Sequence, residues 1–352
     1  MAAGAAVSTT LSEIICFTYL FKYYKSVRKE IANEIKRGLN YKYRGIRKTI
    51  SDILSVSIPM SIGPILGSIN KNIDSMTIVR GLKNFMTETQ SKLEYGILSG
   101  KIDTLVAFPL SFNAAFTSTL IPMVSAANAN KNFEPIKKKI KFSMLIAILI
   151  GIPSTIGMIV FAKPILELLF PNQPSGTFLL QISSISITFL MLSQNINSIL
   201  HGLGKVMIPT LSLAVGLIIK LGLNIFLVPI NPKEFVLGGI NGAAFATVVS
   251  HIMVCIISYC ILKKYIKINI GLKEVLKVIL ATVMMAICML FIYNNLLGIF
   301  SKKLCIILAI ILAVIIYILL ILILKIFSKD EIEMVPYGSK IYFVLKKLKI
   351  YK

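Results

Sequence analysis

Residues Gly238–Lys264 read GGINGAAFATVVSHIMVCIISYCILKK: small residues, then an apolar run, then two lysines. An apolar run of about twenty residues suits the thickness of a bilayer core. The start of the chain repeats the pattern. Setting Gly4 on Gly242 places Gly4-Ala5-Ala6 on Gly242-Ala243-Ala244, Thr9 on Thr247, Ser12 on Ser250 and Lys25 on Lys263. Repetition on this scale is how a membrane protein built from two homologous halves reads. The later copy follows a set of apolar segments and the earlier copy follows none. The expectation is therefore a chain that starts inside the first half of a larger, two-lobed transporter.

Composition agrees on class. Of 352 residues, 56% are hydrophobic, the mean hydropathy is +0.82 and the formal net charge is +23, a pairing foreign to water-soluble domains. The basic charge does not point to nucleic acid, because the lysines gather in alternate loops between apolar segments, where they orient a membrane protein and meet anionic phospholipids. The five cysteines, Cys16, Cys255, Cys260, Cys288 and Cys305, lie in or beside apolar segments without a C-x-x-C pair, and there are two histidines, so neither a disulfide framework nor a metal site is expected. No phosphate loop, nucleophile elbow, zinc-protease helix or dinucleotide fingerprint is found, so neither an enzyme nor a cofactor is expected.

The apolar periodicity predicts an all-α polytopic membrane protein with about nine spanning helices: Ala2–Phe21, Ile53–Val79, Tyr95–Ala126, Phe142–Leu169, Thr177–His201, Pro209–Val228, Gly239–Leu262, Val275–Leu297 and Leu304–Phe327. Counting Lys and Arg in alternate loops gives 28 on one side and six on the other, which puts the amino terminus outside and the carboxyl terminus in the cytoplasm. Between the first two spans, Val27, Ile31, Ile35 and Leu39 recur at helical spacing among basic residues, the pattern of an amphipathic linker on the inner headgroups. Pro59, Pro64, Pro109 and Pro153 mark helices expected to bend.

The runs GINGAAFAT (239–247), HGLGKVMIPTLSLAVGLIIKLGLNIFLVPI (201–230) and YGILSGKIDTLVAFPLSFNAAFTSTLIPMVSAA (95–127) resemble stage V sporulation protein B and related polysaccharide-biosynthesis proteins. These belong to the multidrug/oligosaccharidyl-lipid/polysaccharide exporter superfamily, which includes the lipid II flippases. The resemblance covers Gly4–Lys25 and nearly all of Asp52–Lys267. It implies two six-helix lobes around a central cavity. On that plan residues 1–21 are the last helix of the amino-terminal lobe, 22–51 the inter-lobe linker, 52–267 the carboxy-terminal six-helix lobe, 268–327 an extra helix pair and 328–352 a basic cytoplasmic tail. The first-lobe arginines thought to hold lipid pyrophosphate in lipid II flippases have no counterpart here.

The resemblance implies a flippase of the bacterial plasma membrane. Its cargo would be a polyprenyl-pyrophosphate-linked saccharide, a peptidoglycan precursor for spore cortex or cell wall, moved by alternating access. The competing readings are a surface-polysaccharide or O-antigen-type flippase, a drug–cation antiporter, and an inactive membrane fragment. Expected partners are the lipid-linked saccharide, anionic phospholipids, an amino-terminal half and cell-wall synthesis proteins. Without a nucleotide motif, coupling would come from H+, Na+ or the membrane potential.

Charge inside the spans marks the candidate site. Lys71 and Asp74 lie in the second span, three apart and able to pair; Lys101 and Asp103 lie in the third; Lys220 and Asn224 lie four apart on one face of the sixth. A charge at the bilayer centre costs about 2.5–3.5 kcal/mol on insertion scales, so these residues are expected to line a cavity or pair inside the protein. A cross-helix Lys71–Asp103 contact is one option. Glu13, in the first span, is a candidate partner for Lys220 and, with Asp74 and Asp103, a candidate gating or coupling group. Gln194, Asn197 and His201 form a polar stripe that could meet saccharide hydroxyls or bond neighbouring helices. His251 reads as a packed, hydrogen-bonded histidine.

Overall fold

A computed structural model describes residues 2–37, 45–266, 271–298, 300–327 and 342. The helices run in order α1 (Ala2–Arg37), α2 (Ile46–Leu82), α3 (Glu88–Gly96), a π-helical turn (Ile97–Ile102), α4 (Asp103–Ala129), α5 (Glu134–Val160), α6 (Ala162–Leu169), α7 (Thr177–Ser184), α8 (Ser186–Gly202), α9 (Met207–Leu227), α10 (Gly239–Tyr265), α11 (Leu272–Leu296) and α12 (Lys302–Ile323). No strand occurs among the described residues. The chain forms two compact units, Met1–Ser57 and Ile58–Lys352.

Among the described residues, seven stretches are long and apolar enough to cross a membrane: Glu88–Ala129, Ile136–Val160, Thr177–Gly202, Met207–Leu227, Gly239–Tyr265, Leu272–Leu296 and Lys302–Ile323. The expected spans Ala2–Phe21 and Ile53–Val79 fall on α1 and α2, which are helical but are not among the seven. Arg47, Lys48 and Asp52 near the start of α2 and Asn70, Lys71, Asn72 and Asp74 further along dilute its hydropathy.

In the amino-terminal unit, α1 shows no break at Phe21. It runs on to Arg37, so the first part of the expected linker is a continuation of the same helix. Phe17 and Phe21 stack one turn apart, with the Lys25 ammonium over the Phe21 ring. Leu39, the last residue of the amphipathic stripe, lies outside the described residues, as does the tail 328–352 apart from Tyr342.

The larger unit is built around α8, which packs on α4, α5 and α10. One cluster joins Leu120 and Val124 of α4, Ile140 and Met144 of α5, Ile196, Ile199 and Leu200 of α8 and Leu262 of α10. The start of α10 shows why its sequence is small-residue rich. A Cβ on Gly242 would lie 2.7 Å from Leu227 Cβ and 2.6 Å from Leu237 O, so only glycine lets α10 seat against the end of α9. Ala243, Ala244 and Ala246 are fully buried behind it.

Not every proline interrupts its helix, though the fourth span divides at Phe161, three residues before Pro164. Pro109 and Pro122 sit inside α4 and Pro153 inside α5. The irregularity in the third span is the π-helical turn before α4, and the fifth span divides at Ile185. The final pair, α11 and α12, packs on α5 and α6 through Leu145, Leu149, Phe161, Val278, Ala281, Met285, Ile306 and Ala309.

Candidate functional site

A charged polar cluster joins α2 to α9. Asn70, Asp74 and Thr77 recur at four- and three-residue steps on α2, which puts them along one face; Lys220 and Asn224 do the same on α9. The Lys220 ammonium lies 2.5 Å from Asp74 Oδ2 and donates to Asn70 Oδ1 at 3.0 Å. Asn224 Nδ2 donates to Asp74 Oδ1 at 3.3 Å and to Thr77 Oγ1 at 3.2 Å. Lys220 is 3% exposed and Asn224 1%, in a helix that is otherwise apolar. A charge this deep is tolerable because carboxylate and amide oxygens replace its hydration shell. The partner of Lys220 is thus Asp74, and Glu13 is an exposed residue of α1 in the other unit.

Beside the pair lies a small cavity of about 50 Å³, bounded by Leu66, Gly67, Asn70, Leu213, Leu217, Lys220, Ser250, His251 and Val254, where α2, α9 and α10 converge. α9 and α10 approach closely there. Ser250 Oγ donates to Gly216 O at 2.8 Å, and a Cβ on Gly216 would fall 2.5 Å from Val254 Cγ2. His251 makes no side-chain hydrogen bond among the described residues, contrary to the expectation of a packed, bonded histidine. It borders the cavity instead.

The other candidates make no hydrogen bond or ion pair with this cluster among the described residues, although Asp103 lies near enough to feel the charges of Lys220, Asp74 and Lys71. Lys71 is exposed and forms no ion pair among the described residues, so neither a Lys71–Asp74 nor a Lys71–Asp103 contact forms; Asp74 is already engaged by Lys220. The Lys101 ammonium turns away from Asp103, donating to Gln173 O at 2.7 Å and lying 5.1 Å from the Phe170 ring centroid. Asp103 is exposed at the first turn of α4. On α8, Gln194 Oε1 accepts from Asn113 Nδ2 at 2.9 Å, a bond between helices, while Asn197 Oδ1 and His201 Nδ1 are buried without a partner among the described residues. Asn70 and Thr77 complete the site, and the signal that finds them is their spacing from Asp74.

Comparison with known proteins follows this geometry. A polysaccharide biosynthesis protein family model matches residues 1–128, and the MatE family model matches residues 95–226. Stage V sporulation protein B of Bacillus subtilis is 24% identical over 280 residues, covering 78% of this chain and 51% of that protein. Lipid II flippase MurJ of the same organism is 23% identical, covering 62% of this chain and 40% of that one. The chain thus spans about half the length of the curated relatives it matches. Among solved structures, lipid II flippase MurJ in an inward closed conformation superposes with a TM-score of 0.59 at 18% identity, over 83% of this chain and 58% of that one. An outward-facing multidrug resistance MATE family transporter of the MOP superfamily gives 0.50 at 17% identity, over 84% and 70%. Relatives whose names state an activity are flippases or transporters, not enzymes. The chain is accordingly a multi-pass membrane protein similar in sequence to stage V sporulation protein B and to the polysaccharide biosynthesis and MatE family models, with a fold like that of lipid II flippase MurJ.

Proposed function

We propose that the protein forms one wall of a flippase for a polyprenyl-pyrophosphate-linked saccharide in the bacterial plasma membrane. The cargo is a peptidoglycan precursor for spore cortex or cell wall. The observation that carries this reading is the buried Lys220–Asp74 pair, which ties α2 to α9. A diphosphate carries the same chemistry as the Asp74 carboxylate, so the cargo can compete for the ammonium. In the resting wall Asp74 holds Lys220. When cargo enters, its diphosphate takes the ammonium and α2 is free to move relative to α9. Re-formation of the pair expels the cargo. Alternating access of this kind needs two states of similar energy, and exchange of one anion for another at the same cation supplies them. Lys71, exposed one turn from Asp74, adds positive charge along the same helix.

A surface-polysaccharide precursor shares the diphosphate, and the match to the polysaccharide biosynthesis model favours it as the second reading. The membrane potential is the simplest driving force, since moving one elementary charge through 100 mV supplies about 2.3 kcal/mol. The topology is the amino terminus outside and the carboxyl terminus in the cytoplasm. A cysteine placed at the exposed Ser175 is then expected to react from outside; labelling only after permeabilisation reverses the topology.

The function is tested in cells expressing the protein, with lipid-linked precursor in the outer leaflet read by an extracellular probe. Lys220→Gln is expected to bring delivery down to the level of cells lacking the protein. Unchanged delivery in Lys220→Gln overturns the reading. So does export of a cationic drug that Asp74→Asn abolishes while precursor delivery stays constant.

A further inference from the structure

The turn 130–133 joins α4 to α5, and the first turns of α5 carry Lys137, Lys138, Lys139 and Lys141. Lys137 pairs with Glu134, Lys141 pairs with Glu274 at 2.8 Å, and Lys138 also has a partner. Lys139 is different: it is exposed and forms no ion pair among the described residues. It borders a groove of about 330 Å³ between α4 and α5, with apolar walls from Phe116, Leu120, Met123 and Phe142. Ser143, four residues on along the same face of α5, also lines the groove. Ser143 is 4% exposed, and its Oγ is buried without a hydrogen-bond partner among the described residues. A buried hydroxyl left unpaired is destabilising until an acceptor reaches it.

The three features follow one another as the parts of a membrane lipid do. A free ammonium marks the mouth; a hydroxyl lies one helical turn deeper, about 6 Å along the axis; apolar walls flank both. We propose that this groove seats an anionic glycerophospholipid of the lysine-rich leaflet. Its phosphate sits on Lys139, an ester carbonyl accepts from Ser143 Oγ, and one acyl chain lies against Phe116, Leu120, Met123 and Phe142. A polyprenyl phosphate has no ester carbonyl and would leave Ser143 Oγ unfilled. A zwitterionic lipid carries no net charge to match Lys139. The seat does not depend on the transport reading, since it uses none of the α2–α9 residues.

The test is native mass spectrometry of the whole protein in detergent, with phosphatidylglycerol and phosphatidylcholine of identical chains added as competing probes. Wild type is expected to retain phosphatidylglycerol preferentially. Lys139→Gln should lower that retention about fivefold, the worth of one lysine at a lipid surface. Ser143→Ala should lower it without changing charge, and Thr119→Trp, at an exposed residue of the groove wall, should block the seat. Lys264→Gln, at an exposed lysine of α10, should leave it unchanged. Each variant is compared at matched thermal stability. Equal retention of the two lipids by wild type, or equal losses in Lys139→Gln and Lys264→Gln, overturns the proposal. Displacement by polyprenyl phosphate that Lys139→Gln weakens and Ser143→Ala does not would assign the groove to an isoprenoid, and overturns it too.

Discussion

The wall where α2 meets α9 and the flank where α5 meets α11 and α12 are held together in opposite ways. On the flank, charge is kept to the ends: Lys141 meets Glu274 at 2.8 Å at one end and Lys302 meets Glu167 at 2.7 Å at the other. Between them the contact is apolar, with one polar link, Tyr317 OH donating to Leu149 O at 2.7 Å. At the α2–α9 wall the ion pair sits within the helices, with Asp74 eight residues before the end of α2 and Lys220 seven before the end of α9, and the Lys220 side chain is only 4% exposed. End charges hold position at little expense. A pair within the helices carries a desolvation penalty that apolar residues would not. Under the proposed function the flank serves as a clamp and the wall as a switch.

Substitutions can break this contrast, and their effects should fall in order. Asp74→Ala leaves the Lys220 ammonium buried and unpaired, and is expected to destabilise the fold by about 3–5 kcal/mol in thermal or denaturant unfolding in micelles. Replacing both members, Asp74→Leu with Lys220→Met, should recover most of that stability while precursor delivery stays abolished. A double variant as unstable as the single would show that the pair is structural. Gly216→Ala comes next. Its new methyl meets Val254 at 2.5 Å and forces α9 from α10, at about 1–3 kcal/mol, with the loss read in the same unfolding assay. On the flank, Tyr317→Phe removes one hydrogen bond and should cost about 0.5–1.5 kcal/mol without changing delivery. Lys302→Gln is the smallest, with no measurable change in unfolding expected, because its side chain is more than half exposed. If Lys302→Gln proved as damaging as Asp74→Ala, the distinction between clamp and switch would fail.

Much of the fold is legible in the sequence because its signals are local. The GGINGAAFAT run reads as small residues opening an apolar span, and the structure starts α10 there with Gly242 against Leu227. The lysine and asparagine at 220 and 224 announce a polar face in an apolar helix, and that face is where the cluster forms. Partner choice is another matter. Whether Asp74 meets Lys71, three residues away, or Lys220, on another helix, depends on how α2 is rotated about its axis, and that rotation is set by packing of residues such as Ile78 and Leu82. Lys101 illustrates the same limit. Its distance from Asp103 is readable, but its capture by the Gln173 carbonyl depends on where the 170–176 loop folds back. Helix divisions are less legible: Pro109 and Pro153 lie inside continuous helices, while the division at Ile185 carries no proline or glycine to mark it.

The central claim is that Asp74 and an incoming diphosphate compete for one ammonium. It is tested most directly by measuring retention of a polyprenyl-diphosphate-linked saccharide by the purified protein in native mass spectrometry, for wild type, Asp74→Asn, Lys220→Gln and the double variant. The account predicts that Asp74→Asn binds more cargo than wild type, that Lys220→Gln binds less, and that the double variant matches Lys220→Gln. Cargo binding that falls in Asp74→Asn, or that stays constant in Lys220→Gln, would contradict it.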